Sequence, residues 1–199
     1  MKVKKIKINN YEIFEVCFEE NDNNLKMKIK KFAEETAKNT YKRSGMDDEN
    51  HKKNIIIGKM AEEAFSFLVY DLSNKKKRLF VNYDNKVDKY DFKINNETID
   101  IKSSSMKTKN REYTLIKAIE SFNFTLLLDQ NIKDIIVQTL YKNRDNFNCF
   151  YFFSFELSST IIKKGVKKYL KMNGNSGYYY LYPIKKGKKI EKIIKINND

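Results

Sequence analysis

The chain has 199 residues, 41% of them hydrophobic and 14% aromatic, which is enough to bury a core and too apolar for a disordered segment. Forty lysines and arginines against 26 acids leave a formal charge of +14, which suits a polyanionic partner and suits equally a composition biased to Lys, Asn and Ile. The single histidine, His51, excludes a multi-histidine metal site, and no apolar run approaches the length of a membrane-spanning helix, about 18 residues.

Hydrolytic chemistry in such a chain would have to run on carboxylates, lysine and a hard cation. The basic N-terminus, Met1 to Lys7, lacks the apolar core of a signal peptide, so a cytoplasmic protein is the expectation. Residues 2–8 and 11–19 alternate in hydropathy and read as two strands joined by Asn9-Asn10. Cys17 and Cys149 both lie in apolar strand-like runs and read as small core residues in a reducing compartment, without a disulfide or a zinc site. From Leu25 the apolar positions Ile29, Phe32, Ala33 and Ala37 return at helical spacing.

Asp47 or Asp48 is the expected N-cap of a second helix, residues 50–72, apolar around much of its circumference and therefore mostly buried. Glu62 or Glu63 then stands near a buried surface, which is costly without a partner; Glu63 reads as the wet edge of the helix. Gly58 in its interior suggests the close approach of another group. A charged turn, Asn74 to Arg78, leads to a strand at Leu79-Phe80-Val81 and a polar connection, residues 84–89.

Residues 90–103 carry two alternating runs, Asp91–Ile94 and Glu97–Lys102, flanking Asn95-Asn96. Asparagine tolerates positive φ, so the pair predicts a two-residue hairpin turn. Ile94 then pairs with Glu97, Lys93 with Thr98, Phe92 with Ile99 and Asp91 with Asp100. Asp91, Asp100 and Lys102 share one face, opposite Phe92, Ile99 and Ile101. Facing carboxylates destabilise a sheet, and a divalent cation between them reverses the sign; Mg²⁺ favours one or two carboxylates with waters and phosphate oxygens. The alternative is a solvated hairpin in which Lys102 screens the two aspartates.

Ser103 to Arg111 reads as a polar, basic loop. Ser103, Ser104, Lys107, Lys109 and Arg111 suit either positioning contacts to a phosphodiester backbone or a solvated loop. Residues 112–128 combine a short helix around Leu115, Ile116 and Ile119 with an extended segment at 122–128. Asp134 to Tyr141 and Cys149 to Glu156 read as buried strands. Ser158 to Leu170 reads as a basic helix capped by Ser158 or Ser159, Asn173 to Gly177 as a turn, Tyr178 to Tyr182 as a strand, and Lys185 to Asn198 as a lysine-rich strand.

Gly58-Lys-Met-Ala-Glu62, then Asp91, then Asp100-Ile101-Lys102 resemble the PD-(D/E)XK nuclease superfamily, in the manner of a small type II restriction endonuclease. Tyr90 stands where that motif has proline, and Asp88 is a rival to Asp91. The resemblance implies a mixed α/β fold, a restriction-endonuclease-like core with a central mixed β-sheet flanked by helices. Residues 1–199 would form a single domain whose nuclease core spans about 50–155, with an N-terminal hairpin and helix and a C-terminal basic helix and strand as elaborations. It implies Mg²⁺ held by Asp91, Asp100, the Ile101 carbonyl and Glu62, with Mn²⁺ able to substitute. Lys102 would position the attacking water and stabilise charge. It further implies double-stranded DNA as substrate, a homodimer and a cognate methyltransferase encoded nearby. A structure-specific repair or recombination nuclease, and a non-catalytic nucleic-acid-binding module on a nuclease fold, are the alternatives.

Overall fold

The computed structural model describes residues 1–39, 47–84, 90–94, 96–108, 111–127, 132–172 and 175–195. β1 (Lys2–Ile8) and β2 (Tyr11–Cys17) form the expected hairpin, with Asn9 in the left-handed region at φ 54°, where an asparagine is tolerated. α1 (Asn23–Asn39) and α2 (Asp48–Leu72) follow, and Asp47 caps α2 by accepting the Asn50 N–H at 2.7 Å. α2 buries Ala61, Ala64, Phe65, Leu68 and Val69 almost completely. Then come β3 (Phe92–Ile94), β4 (Glu97–Ser105), α3 (Leu115–Ser121), β5 (Asn123–Leu127), β6 (Ile135–Asn143) and β7 (Asn146–Leu157). The chain closes with α4 (Ser158–Lys164), β8 (Val166–Met172), β9 (Asn175–Pro183) and β10 (Lys188–Lys189).

Among the described residues the main sheet has seven strands in the order β1-β2-β7-β6-β4-β3, with β10 also paired to β7. β4 and β6 run parallel and the other pairings are antiparallel, so the sheet is mixed. Parallel strands need a crossover, and here it carries α3. One core cluster joins Phe14, Phe152, Ile99 and Val137 of the sheet to α1 and α2. A second joins Ile13, Ile136 and Leu140 to α3, α4 and a separate three-stranded sheet, β5-β9-β8. The molecule is therefore mixed α/β with helices on both faces of its central sheet. Among the described residues, no helix is long and apolar enough to cross a membrane.

Several sequence expectations are corrected. Cys17 and Cys149 face each other across β2 and β7 and form a disulfide, S–S 2.07 Å; opposing positions on adjacent strands brought the two sulfurs together, which spacing in the chain did not reveal. Leu79-Phe80-Val81 forms no strand. Leu79 and Val81 are buried and Phe80 is 85% exposed, but the Leu79 carbonyl accepts the Ser66 hydroxyl at 2.6 Å, so the segment is tied to α2. Alternation reports a buried face there, not a ladder partner. β4 runs on through Ser103, Ser104 and Ser105, because β6 pairs with it to the end; these serines are strand residues, not loop.

The helix read over 158–170 stops at Lys164. The Gly165 N–H closes its last turn on the Ile161 carbonyl, 2.8 Å away, and a Cβ at Gly165 would stand 2.4 Å from that oxygen. From Val166 the chain is an extended strand whose lysines masked its alternation. Neither Ser158 nor Ser159 caps the helix: the N-cap is Leu157, and the Ser158 hydroxyl bonds the Lys133 carbonyl. Of the expected C-terminal strand, Lys185 to Asn198, only β10 forms among the described residues. Ile190–Lys195 is a 3-10 helix that buries Ile190 and Ile193 at its three-residue period. At Gly58 nothing lies within 4 Å of an added Cβ, so no close approach explains that glycine.

Candidate active site

The β3–β4 hairpin has the register that its sequence dictates: Ile94↔Glu97, Lys93↔Thr98 and Phe92↔Ile99. Asn96 takes φ 73° in the turn, and Asn95 lies outside the described residues. The ladder ends one step before Asp91 and Asp100. The Asp91 N–H donates to the Ile99 carbonyl at 3.0 Å, and the Asp91 carboxylate accepts the Ile101 N–H at 2.6 Å. A side-chain oxygen thus takes the place that a neighbouring strand's carbonyl would fill. β3 covers only the first three residues of β4, so from Asp100 onward this edge of β4 has no strand partner among the described residues.

Along that open edge the expected groups gather. Lys102 Nζ stands 2.6 Å from the Asp100 carboxylate and is 45% exposed, against 20% for Asp100. Asp91, like Asp100, is half-buried. Loss of hydration raises its carboxyl from the ordinary 3.8 to about 6, and the Asp100 charge pushes the same way. The Ile101 N–H, Lys102 and Lys59 oppose that rise without cancelling it. Two like charges are therefore held together at a half-buried sheet edge, with one lysine pairing directly to one of them.

α2 supplies the second tier. There Lys59 Nζ bonds the Glu62 carboxylate at 2.7 Å, both side chains being about nine-tenths buried, and the Lys59 charge also acts on Asp91. Lys59 also lies 5.2 Å from the Phe32 ring centroid and 5.8 Å from that of Tyr83. Glu63, expected at the wet edge, is 6% exposed: the Tyr83 hydroxyl donates to it at 2.7 Å and Arg78 lies at 3.8 Å. Burial and that bonded carboxylate hold the Tyr83 hydroxyl well above the usual phenol range. The wet-edge reading failed because Arg78 and Tyr83 reach Glu63 from 15 and 20 residues downstream.

Comparison with protein-family models, with curated proteins and with solved structures returns no match for this chain. The site therefore stands on its own geometry.

Among the described residues, the one group of three potential ligand atoms within 4.8 Å of each other is Glu15, Cys17 and Cys149, and the disulfide ties up two of its members. Glu62 thus does not close a three-carboxylate cluster with Asp91 and Asp100. A cation at the β4 edge would take two carboxylates and complete its shell with the Ile101 carbonyl and water. That donor set is all hard oxygen, negatively charged and sparse, which suits Mg²⁺ better than an ion demanding six to eight protein oxygens.

Of the proposed backbone-contacting residues, Ser103 and Ser104 lie on β4, directly beyond Lys102. Lys107 and Arg111 are exposed on a small excursion after it, closed by the Lys107↔Glu112 bridge and by the Thr108 N–H donating to the Arg111 carbonyl at 2.7 Å. Lys109 and the rival Asp88 lie outside the described residues.

Sequence reasoning missed three supports. Lys59 sits three residues before Glu62, one turn along the same helix face, and a lysine in a mostly buried helix was itself the signal. Gln138, 5% exposed at the centre of β6, donates to the Lys102 carbonyl at 2.9 Å and to Ser104 Oγ at 3.0 Å. Asp134 fastens the start of β6 to β4 by accepting the Thr98 N–H at 2.8 Å and hydroxyl at 2.6 Å.

Proposed function

We propose that this protein is a metal-dependent endonuclease of the PD-(D/E)XK type that hydrolyses phosphodiester bonds of double-stranded DNA, acting as a homodimeric type II restriction enzyme. The observation that carries the reading is the enforced approach of Asp91 and Asp100 at an open strand edge beside Lys102. The bonds from the Ile101 N–H to Asp91 and from Lys102 to Asp100 offset part of the repulsion between the two carboxylates, and a cation between them would remove the rest. The element order supports the same reading: a glutamate-bearing helix, a hairpin carrying both aspartates, a crossover helix and a parallel strand suit a restriction-endonuclease-like core.

Asp91 and Asp100 would hold Mg²⁺, or Mn²⁺ in its place, together with the Ile101 carbonyl and water. When bound, the cation supplies Lewis-acid polarisation of the phosphoryl group and a more acidic water. The Ile101 N–H fixes the Asp91 carboxylate by one oxygen. Lys102, exposed enough to leave Asp100, holds the attacking water in line and places a positive charge beside the phosphoryl oxygens as they become more negative. Gln138 holds the Lys102 main chain, and Glu62, anchored by Lys59, takes part through a water. Two copies of the site are needed to cut both strands of a duplex, which motivates the dimer.

Digestion of genome-sized DNA with Mg²⁺ tests this, the fragment ends being sequenced. A restriction enzyme yields ends that share one sequence, and a repair or recombination nuclease yields ends set by DNA structure. Asp91→Ala and Asp100→Ala should each abolish cutting and leave DNA binding in place. Intact DNA from the wild type with either Mg²⁺ or Mn²⁺ refutes the assignment.

A further inference from the structure

The positive charge of this chain is not spread evenly. Residues 157–190 contain nine lysines and no aspartate or glutamate, against a net +14 for all 199 residues. All nine are exposed. The middle of this stretch is the β8–β9 hairpin, paired from Val166↔Leu181 to Met172↔Asn175. β8 is the outer strand of the small sheet and pairs with β9 alone among the described residues.

The hairpin also exposes apolar surface where it projects. Val166 is 59% exposed, Tyr169 58% and Tyr178 53%. Tyr169 and Tyr178 face each other across the two strands, rings edge to face with centroids 5.4 Å apart, and Lys167 Nζ lies 4.8 Å from the Tyr178 centroid. Lysines alone would be an ordinary way to keep an edge strand from pairing with another chain. Two exposed tyrosines beside them do the opposite, and nothing in the core requires them there.

We propose that the β8–β9 hairpin is a duplex-DNA-binding ribbon that enters the major groove, with Lys167, Lys168 and Lys171 contacting phosphates and the Tyr169–Tyr178 pair contacting sugar and base edges. The proposal rests on the nuclease reading above for the choice of DNA as partner. Three features favour a groove. A two-stranded ribbon fits the major groove, about 12 Å wide. Successive strand residues leave on opposite faces, so Lys168 projects opposite Lys167 and Lys171. A groove is walled by phosphates on both sides and engages both faces, whereas a flat anionic surface such as a bilayer meets one. The Tyr178 ring already carries Lys167 over its face, so it is a poor platform for stacking an unpaired base and a better wedge against sugars and thymine methyls.

The test is binding without cleavage, in EDTA, of a labelled mixed-sequence duplex over a salt series. The proteins are wild type, the triple variant Lys167→Gln/Lys168→Gln/Lys171→Gln and the double variant Tyr169→Ser/Tyr178→Ser. All the substituted side chains are exposed, and thermal melts check that each variant is folded. Each phosphate contact contributes about 0.9 to the slope of log K against log salt. The triple variant should therefore lose roughly two to three from that slope and bind at least about tenfold more weakly at moderate salt. The tyrosine variant should lose about tenfold in affinity, from the apolar ring surface buried against sugars and methyls, with its slope unchanged. Lys168→Glu alone should weaken binding in the same direction.

Wild-type slope and affinity in these variants overturn the proposal. So does a loss confined to single-stranded DNA or to vesicles of anionic lipid. The two readings fail separately: a wild type that neither binds nor cuts duplex removes both. A wild type that cuts, loses cutting with Asp100→Ala, and binds as well without the hairpin's lysines and tyrosines removes only this one.

Discussion

Replacing Asp91 by asparagine separates the stability of the site from its chemistry. Asparagine keeps an oxygen to accept the Ile101 N–H, now 2.6 Å from the Asp91 carboxylate, and removes the charge that Asp100 repels. In the ion-free wild type the Asp91 carboxyl is raised from 3.8 to about 6. A group whose folded pKa is raised contributes stability that is complete below its unfolded value and is lost as pH rises through the folded one. That loss is on the order of 3 kcal/mol in all, with about 2 kcal/mol of it between pH 4.5 and 7.5. For a chain of this size 1 kcal/mol moves Tm by roughly 2–4 °C. The variant's Tm should therefore gain on that of the wild type by about 4–8 °C between those two pH values. Scanning calorimetry in EDTA measures the gap, and adding Mg²⁺ at pH 7.5 should raise the Tm of the wild type and not of the variant. A gap that stays constant with pH, or a variant less stable than wild type at pH 7.5, would show that the two carboxylates do not strain the apo protein and would refute the electrostatic argument for a cation site.

Lys59→Met leaves Glu62 enclosed without the ammonium now 2.7 Å away; denaturant unfolding should show a loss of about 3–5 kcal/mol. The same change removes a charge that draws the Asp91 carboxyl down, so the acid limb of the cleavage rate should move to higher pH. Reducing the Cys17–Cys149 disulfide opens a loop with a sequence separation of 132; the chain-entropy model gives up to about 5 kcal/mol, read from urea melts with and without dithiothreitol. Asp134→Ala removes the acceptor of two Thr98 hydrogen bonds and should cost about 1–2 kcal/mol in the same melts.

The hairpin was legible because everything that sets it is local. Two asparagines admit a tight turn, and period-two alternation then assigns each residue to a face, so three rungs were predicted in register. The fourth, Asp91 with Asp100, was predicted too and does not form, since whether Asp91 continues a ladder or turns its side chain onto the Ile101 N–H depends on where β3 stops. α2 was legible from its apolar circumference. Its polar partners were not, because Tyr83 and Arg78 approach Glu63 from a segment with no regular structure of its own. Long-range pairing hid the rest. Cys17 meets Cys149 only through the β2–β7 register, and the three-stranded sheet exists only because β9 accepts β5 on one side and β8 on the other. The lysines of 163–171 obscured a strand, since a chain so rich in lysine offers charge at nearly every position and blurs both periods.

The Gln138 clamp bears on when the molecule becomes competent. A three-rung hairpin is marginal alone, and Lys102 acquires a fixed main chain only when β6 lies alongside β4 and Gln138 reaches its carbonyl. Gln138 is 36 residues further along the chain, and β6 in turn is backed by β7, which ends at Leu157. Pairings of that separation form late because their loops must close first. A chain emerging from the ribosome would therefore carry both aspartates and the lysine long before it held them in place. For the nuclease proposed above, catalytic geometry would arrive with the closing of the sheet, so partly made or partly unfolded copies would be inert toward DNA.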